Sequence, residues 1–368
     1  MKKILIFGII ILSLLIAGCK VQEKEPVKVG AIYQETGTGS DWGARAIKGV
    51  NLAAEKINAD GGIDGRKLAV IYEDSKSTPK DAVTAISKLI DVDGVKAVLS
   101  QQSSVVMALS PIANENKIIL VDTGATTPSY TSADDFTFRV SYTATYFAKE
   151  ISSMLNKKEI KTLGMLYVNN DYGQGMLKTY REYFNGDIII SETFADSAAD
   201  FRTQLQKIKE KNPDAVVFAS NPTQAGIILK QREELGLTQQ FYTDANAMEY
   251  QSALDSAGGA AEGVIYASQF YDVNRTDDSF RDFNSRFMQK YNESSNPLSA
   301  QAYDGLMVLA AAMRKCENPA DSECIKDGLY NISIKGIIGS ITFDRYGDVI
   351  YRPTIIKTVK NNTFVQYK

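Results

Sequence analysis

The sequence predicts an α/β protein built as two doubly wound, parallel-sheet lobes. Three observations carry this expectation. Short apolar, β-branched runs alternate strictly with amphipathic helical stretches, the pattern of a parallel sheet covered by helices on both faces. The alternation runs through two successive series of similar layout. The chain, at 368 residues, is also longer than one hydrophobic core usually serves, yet it has no long linker and no low-complexity segment. Two lobes without a floppy connection imply a cleft and a hinge.

The first series opens with Val27 to Tyr33 as a strand, followed by a glycine-rich turn from Glu35 to Gly43. Ile47, Val50, Ala54 and Ile57 then fall on one helical face, at the i, i+3, i+7, i+10 spacing of an amphipathic helix. Gly61 and Gly62 stop it, because glycine adopts the left-handed conformation at a helix end without a Cβ penalty. Leu68 to Tyr72 reads as the second strand. Thr78-Pro79-Lys80-Asp81 starts the next helix, with Thr78 as cap, Pro79 at the first helical position and Asp81 closing a capping box. Val95 to Leu99 is a strand, Val105 to Asn116 a helix and Lys117 to Val121 a strand.

The second series starts near Tyr142. Helices are expected over 145–157, 173–185, 200–211, 224–235 and 247–257, alternating with strands over 161–167, 187–193, 214–219, 239–243 and 263–268. Two long helices follow over 277–291 and 299–315, and strands over 340–343, 348–357 and 363–367 close the chain. Asp344-Arg-Tyr-Gly-Asp348 reads as a hairpin turn; it lacks the run of acidic ligands that calcium needs.

Composition excludes several function classes. Apolar residues make up 44% and charged residues 23%, as in an ordinary soluble globular protein. The net charge is −3 with no basic block, so no nucleic-acid partner is expected. Histidine is absent, which removes the commonest general base and metal ligand and rules out a Ser-His-Asp triad or a Cys-His pair. There is no Gly-x-Ser-x-Gly elbow, no P-loop and no G-x-G-x-x-G. The acidic pairs Asp134-Asp135 and Asp277-Asp278 lie in polar stretches and read as solvated loops. Neither catalysis, a cofactor nor a metal is expected.

The amino terminus is the most specific stretch. Lys2 and Lys3 precede an uncharged apolar run from Ile4 to Ile16, shorter than the roughly 20 residues of a membrane span. The ending Ile16-Ala17-Gly18-Cys19 resembles the bacterial lipobox. By that resemblance residues 1–18 are a signal peptide, Cys19 carries lipid, and 19–26 form a short charged tether. The folded chain then sits outside the cytoplasm, anchored to the cell membrane; an uncleaved anchor helix is the alternative and leads to the same side. The remaining cysteines, Cys316 and Cys324, are then left as a pair, and in an oxidising compartment they form a disulfide around a short loop. Two reduced, buried thiols are the alternative.

The run from Ala53 to Leu68, AAEKINADGGIDGRKL, is similar to the leucine/isoleucine/valine-binding protein family. The similarity continues through Glu73-Asp74, Val98-Leu99-Ser100, Ser103-Ser104, Asn169 to Gly173 and Thr342-Phe343-Asp344. It implies the type I periplasmic-binding fold, in which the chain crosses between lobes three times. Carried over, lobe one holds 27–142 and 271–338, and lobe two 143–270 and 339–368. The resemblance further implies a small ligand bound between lobes that close by hinge bending, delivery to ABC permease subunits, and a monomer.

An amino acid requires donors for its carboxylate, an anion for its ammonium and a matching shape for its side chain. Ser103 and Ser104 sit at a strand end before a helix, where free N–H groups attract an anion; the resemblance assigns Ser104 to the ligand carboxylate, while a plain N-cap role stays open. The loop Asp122 to Pro128 lies beyond a strand's carboxyl end, where open α/β sheets bind ligands, and Ala125 and Thr126 match the family's contact positions. Asp244 matches an acidic position for the ammonium, with helix capping as the alternative and Asp122 as a rival anion. Trp42 and Tyr172 match aromatic positions around the ligand and favour an apolar or aromatic side chain. At Asn221 the chain departs from the family, offering small polar residues where an aromatic is typical, so a polar amino acid, an amide or a small organic acid stays open. Gln301 and Tyr303 open a helix near the cleft and are weaker candidates. Three classes remain in order: an ABC-importer receptor for an amino acid, a sensor of the same fold, and, last, an enzyme.

Overall fold

The computed structural model describes residues 24–127, 130–269, 271, 275–350 and 354–368; the leader and Cys19 lie outside them. Two sheets organise the chain. The first has five parallel strands in the order β2-β1-β3-β4-β5, formed by β1 (Val27–Tyr33), β2 (Leu68–Asp74), β3 (Ala97–Ser100), β4 (Ile119–Asp122) and β5 (Thr137–Arg139). Its helices are α1 (Ser40–Ala59), α2 (Pro79–Asp91) and α3 (Ser103–Glu115).

The second sheet contains β6 (Thr162–Val168), β7 (Asp187–Phe194), β8 (Ala215–Ala219), β9 (Gln240–Asp244) and β10 (Ile265–Gln269), all parallel. Between them run α4 (Ala144–Lys157), α5 (Asp171–Tyr183), α6 (Arg202–Lys211), α7 (Pro222–Glu234), the short α8 (Ala245–Met248) and α9 (Gln251–Ala257). The chain then returns to the first lobe with α10 (Asp278–Tyr291), α11 (Pro297–Met313), α12 (Ser322–Tyr330) and the hairpin β11 (Ile334–Gly336) and β12 (Gly339–Ile341). It ends with β13 (Thr354–Lys360) and β14 (Thr363–Gln366), both antiparallel additions that give the order β14-β13-β10-β9-β8-β6-β7.

The period-2 alternation of β1 shows why the first sheet is covered on both faces. Val29, Ala31 and Tyr33 join a core with α1, α10 and α11, while Ile32 joins a second core with α2 and α3. In the second lobe Phe147, Leu166, Phe218, Phe241 and Tyr266 belong to one continuous core. Helix starts follow local chemistry. Thr78 accepts from the Asp81 N–H at 3.1 Å and donates its hydroxyl to the Asp81 carboxylate at 2.7 Å, with Pro79 in the first turn. Gly49 lets α1 and α11 touch, because a Cβ there would stand 2.0 Å from the Ser299 carbonyl oxygen.

The sequence reading missed β5, α12 and β11; its strand over 340–343 overlaps β12, and its strand over 348–357 overlaps β13, which is described from Thr354. The expected lobe boundary between 338 and 339 falls inside the β11–β12 hairpin. Ile341, Phe343 and Val349 pack in the first lobe's core, with the Phe343 ring 5.3 Å from that of Phe138, and Asp348 bridges to Arg139. The chain therefore rejoins the second sheet only with β13, because apolar side chains at 341–349 find their partners beside β5. Cys316 and Cys324 are joined in a disulfide that ties the end of α11 to α12.

Candidate functional site

Loops from the carboxyl ends of both sheets face one another across a cleft that opens to solvent. On the first lobe it is lined by Trp42, Gln101, Gln102, Ser103, Ser104, Gly124, Thr126 and Leu298. Gln102 is the cap residue of α3 and holds φ at +73°, a left-handed backbone unusual outside glycine. It turns the chain so that α3 starts at the cleft. Both serines therefore lie inside α3, and neither is its N-cap. The Ser103 hydroxyl accepts from the Thr127 N–H at 3.2 Å, whereas the Ser104 hydroxyl makes no hydrogen bond among the described residues. Trp42 lies in the first turn of α1, and its buried indole N–H has no partner among the described residues.

Asp122 shapes the next loop from below. Its carboxylate accepts from the N–H groups of Gly124 at 3.0 Å and Ala125 at 2.7 Å and from the Ser141 hydroxyl at 2.6 Å. Burial raises its pKa to about 6, opposed by Arg139, whose Nε lies 3.9 Å away. Asp122 is fully buried and does not line the cleft. Thr126 does; Ala125 is buried against α3, and its carbonyl accepts from the Ser141 hydroxyl at 2.8 Å.

The second lobe contributes Val168, Asn170, Tyr172, Asp196, Asn221 and Asn246. Asn170 caps α5 by accepting from the Gly173 N–H at 3.1 Å. Asn221 forms a capping box with Gln224 at the start of α7, and its side-chain NH2 makes no hydrogen bond among the described residues. Tyr172 donates its hydroxyl to Asp244 Oδ2 at 2.8 Å, and the Asn246 N–H donates to Asp244 Oδ1 at 2.9 Å. Asp244 is completely buried and stands behind the lining; desolvation lifts its pKa to about 6 against these hydrogen bonds.

Of the expected contacts, Trp42, Ser103, Ser104, Thr126, Tyr172 and Asn221 come together at the cleft, while Ala125 and Asp244 stand one layer back. Gln301 is buried and donates to Gln269, and Tyr303 packs on Phe283; neither lines the cleft. The sequence reading did not name Gln101, Val168, Asn170, Asp196 or Asn246, and gave Gln102 and Gly124 only as parts of the strand-end segments around Ser104 and Ala125. All end or follow within two residues β3, β4, β6, β7 or β9, so the strand-end rule would have found them; Leu298, on α11, gives no such signal.

The lobes also touch beside the cleft. Ser252 donates to Asp41 at 2.6 Å, and the Arg45 guanidinium sits 4.3 Å from the centre of the Tyr250 ring. Among the described residues no helix is long and apolar enough to cross a membrane, and no group of three or more acidic, cysteine or histidine side chains is placed to hold a metal.

Two doubly wound lobes around a polar cleft, with a helix start on one wall and an aromatic on the other, define a two-lobed small-molecule binding protein. The chain belongs to the periplasmic binding protein family, whose model matches residues 26–363. It is similar to the Leu/Ile/Val-binding protein homolog 2 of Brucella abortus, 26% identical, over 97% of this chain and 96% of that one. It is equally similar to the branched-chain amino acid transporter substrate binding protein of Streptococcus pneumoniae, solved in complex with isoleucine. That structure is 26% identical with a TM-score of 0.83, covering 92% of this chain and 98% of that one. A solute binding protein of Rhodopseudomonas palustris BisB5 shares the fold at 22% identity and a TM-score of 0.78, over 92% of this chain and 94% of that one. It was solved with 3,4-dihydroxybenzoic acid.

Proposed function

We propose that this protein is the extracytoplasmic substrate-binding lipoprotein of an ABC importer, capturing an amino acid between its lobes. The observation that carries the reading is the cleft itself. The α3 start and the open Ser104 hydroxyl on one wall suit a carboxylate, and Trp42 and Tyr172 supply apolar surface on facing walls. The relatives named for leucine, isoleucine and valine support an amino-acid ligand. The leader ending at Cys19 supports lipid attachment and a membrane-tethered location, with the permease subunits recognising the closed form.

Closure follows from contacts divided between two rigid bodies. Neither half-site satisfies the ligand alone, so ligand binding favours the geometry that brings both halves together. Isothermal titration against the twenty amino acids tests the reading: heat from one or a few supports it, and none from any of them removes the amino-acid ligand.

A second reading rests on the amide groups in the lining. Gln101, Gln102, Asn170, Asn221 and Asn246 suit a polar amino acid, an amide or a small organic acid, bound either for uptake or for sensing. Heat from amides or aromatic acids in the same titration, without heat from amino acids, would favour it.

A further inference from the structure

Resting on the amino-acid reading above, we infer that Asp196, and not Asp244, is the anion that pairs with the ligand's positive charge. The cleft lining contains one acidic residue, Asp196, and no lysine or arginine among the described residues. A cationic group entering the cleft therefore meets a single carboxylate.

Asp244 is already engaged. One of its oxygens accepts from Tyr172 and the other from the start of α8, and none of its surface is exposed. Asp196 is the reverse case. Its carboxylate is partly buried and makes neither a hydrogen bond nor an ion pair among the described residues, and desolvation alone holds its pKa above the ordinary carboxylate range. A half-buried charge without a partner is the expected state of a group whose counter-charge arrives with the ligand.

Its backbone is nevertheless held in place. The Asp196 carbonyl accepts from Gln224 Nε2 at 2.9 Å, and Gln224 is itself locked in the capping box with Asn221. Asp196 thus belongs to the Asn221 wall of the cleft. In the strand order β9-β8-β6-β7, it follows the edge strand β7, three positions from Asp244 at the end of β9. Strand spacing puts those strand ends roughly 14 Å apart. The two assignments therefore orient the ligand differently.

The test uses the intact chain without its leader, the Asp196→Asn variant, the twenty L-amino acids and the 2-oxo acid of each one that binds. The expected result is a roughly 10- to 100-fold loss of affinity for amino acids in the variant, from one charge-assisted contact, with 2-oxo acids bound as before. Retained 2-oxo acid binding, or an unchanged melting profile, shows that the variant is folded. Loss with every bound amino acid assigns Asp196 to the α-ammonium; loss confined to lysine and arginine assigns it to a side-chain cation. Equal binding of amino acids by variant and parent overturns the inference while leaving the proposed function standing. If the parent binds no amino acid at all, the function fails and takes this inference with it.

Discussion

In the proposed function Ser104 is the residue that meets the ligand carboxylate. It sits in the first turn of α3 with an open hydroxyl, at a helix start that favours negative charge. Replacing Ser104 by Ala should weaken amino-acid binding about tenfold, the worth of one hydrogen bond to a charged group, without changing the melting temperature. Titration calorimetry beside a thermal melt checks both halves. Buried acids make a second prediction. Asp122 and Asp244 titrate near 3.8 when unfolded and at about 6 when folded. The folded state therefore holds their protons more tightly, and each acid destabilises the fold above pH about 6 and ceases to do so as pH falls below about 4. Burial also shifts Asp196 and Asp348 upward, in the same direction, and the chain has no histidine to oppose them. The surface carboxyls Asp74 and Asp214 are shifted down, so their contribution is lost only at more acid pH. The apo protein should melt a few degrees higher at pH 5 than at pH 7, and Asp244→Asn should reduce that difference. A lower melting temperature at pH 5 would contradict the assignment.

Elements explain what the sequence exposes and what it hides. The start of α2 was legible because Thr78, Pro79 and Asp81 act within four residues. β1, β6 and β8 were legible because strands buried on both faces read as continuous apolar runs. β11 was not, since its three residues, Ile334–Gly336, are too few to show an alternation. Of the six cleft-lining residues expected, Ser103 and Ser104 follow from a strand end and helix start, while Thr126, Trp42, Tyr172 and Asn221 came from the family resemblance. Asp244 was expected as a contact because the resemblance puts an acid at that strand end; the Tyr172 hydroxyl that engages it lies 72 positions away, beyond any local pattern. The disulfide between α11 and α12 closes a loop with a sequence separation of 8. Loop-closure entropy puts its stabilisation at about 2.5 kcal/mol. Reduction, or Cys316→Ser with Cys324→Ser, should lower the melting temperature by roughly 5–10 °C for a lobe of this size. Ligand affinity should stay unchanged, because the bridge lies outside the cleft lining. An unaltered melt would show that the bridge contributes nothing to the fold.

At the scale of the whole molecule, each lobe carries its own core and the cleft-lining residues are divided between them. The segment 140–143 joins β5 of the first sheet to α4 of the second lobe. The Asp41–Ser252 hydrogen bond and the stacking of Arg45 on Tyr250 span the lobes and belong to a geometry in which they approach. The double variant Asp41→Ala with Tyr250→Ala should favour the open form and weaken binding severalfold through its dissociation rate, which stopped-flow fluorescence of the single Trp42 can follow. The central claim is closure on an amino acid, and small-angle X-ray scattering of the leaderless protein tests it most directly. Saturating it with its tightest-binding amino acid should reduce the radius of gyration and the longest distance within the particle. Identical scattering curves with and without that ligand would contradict the account.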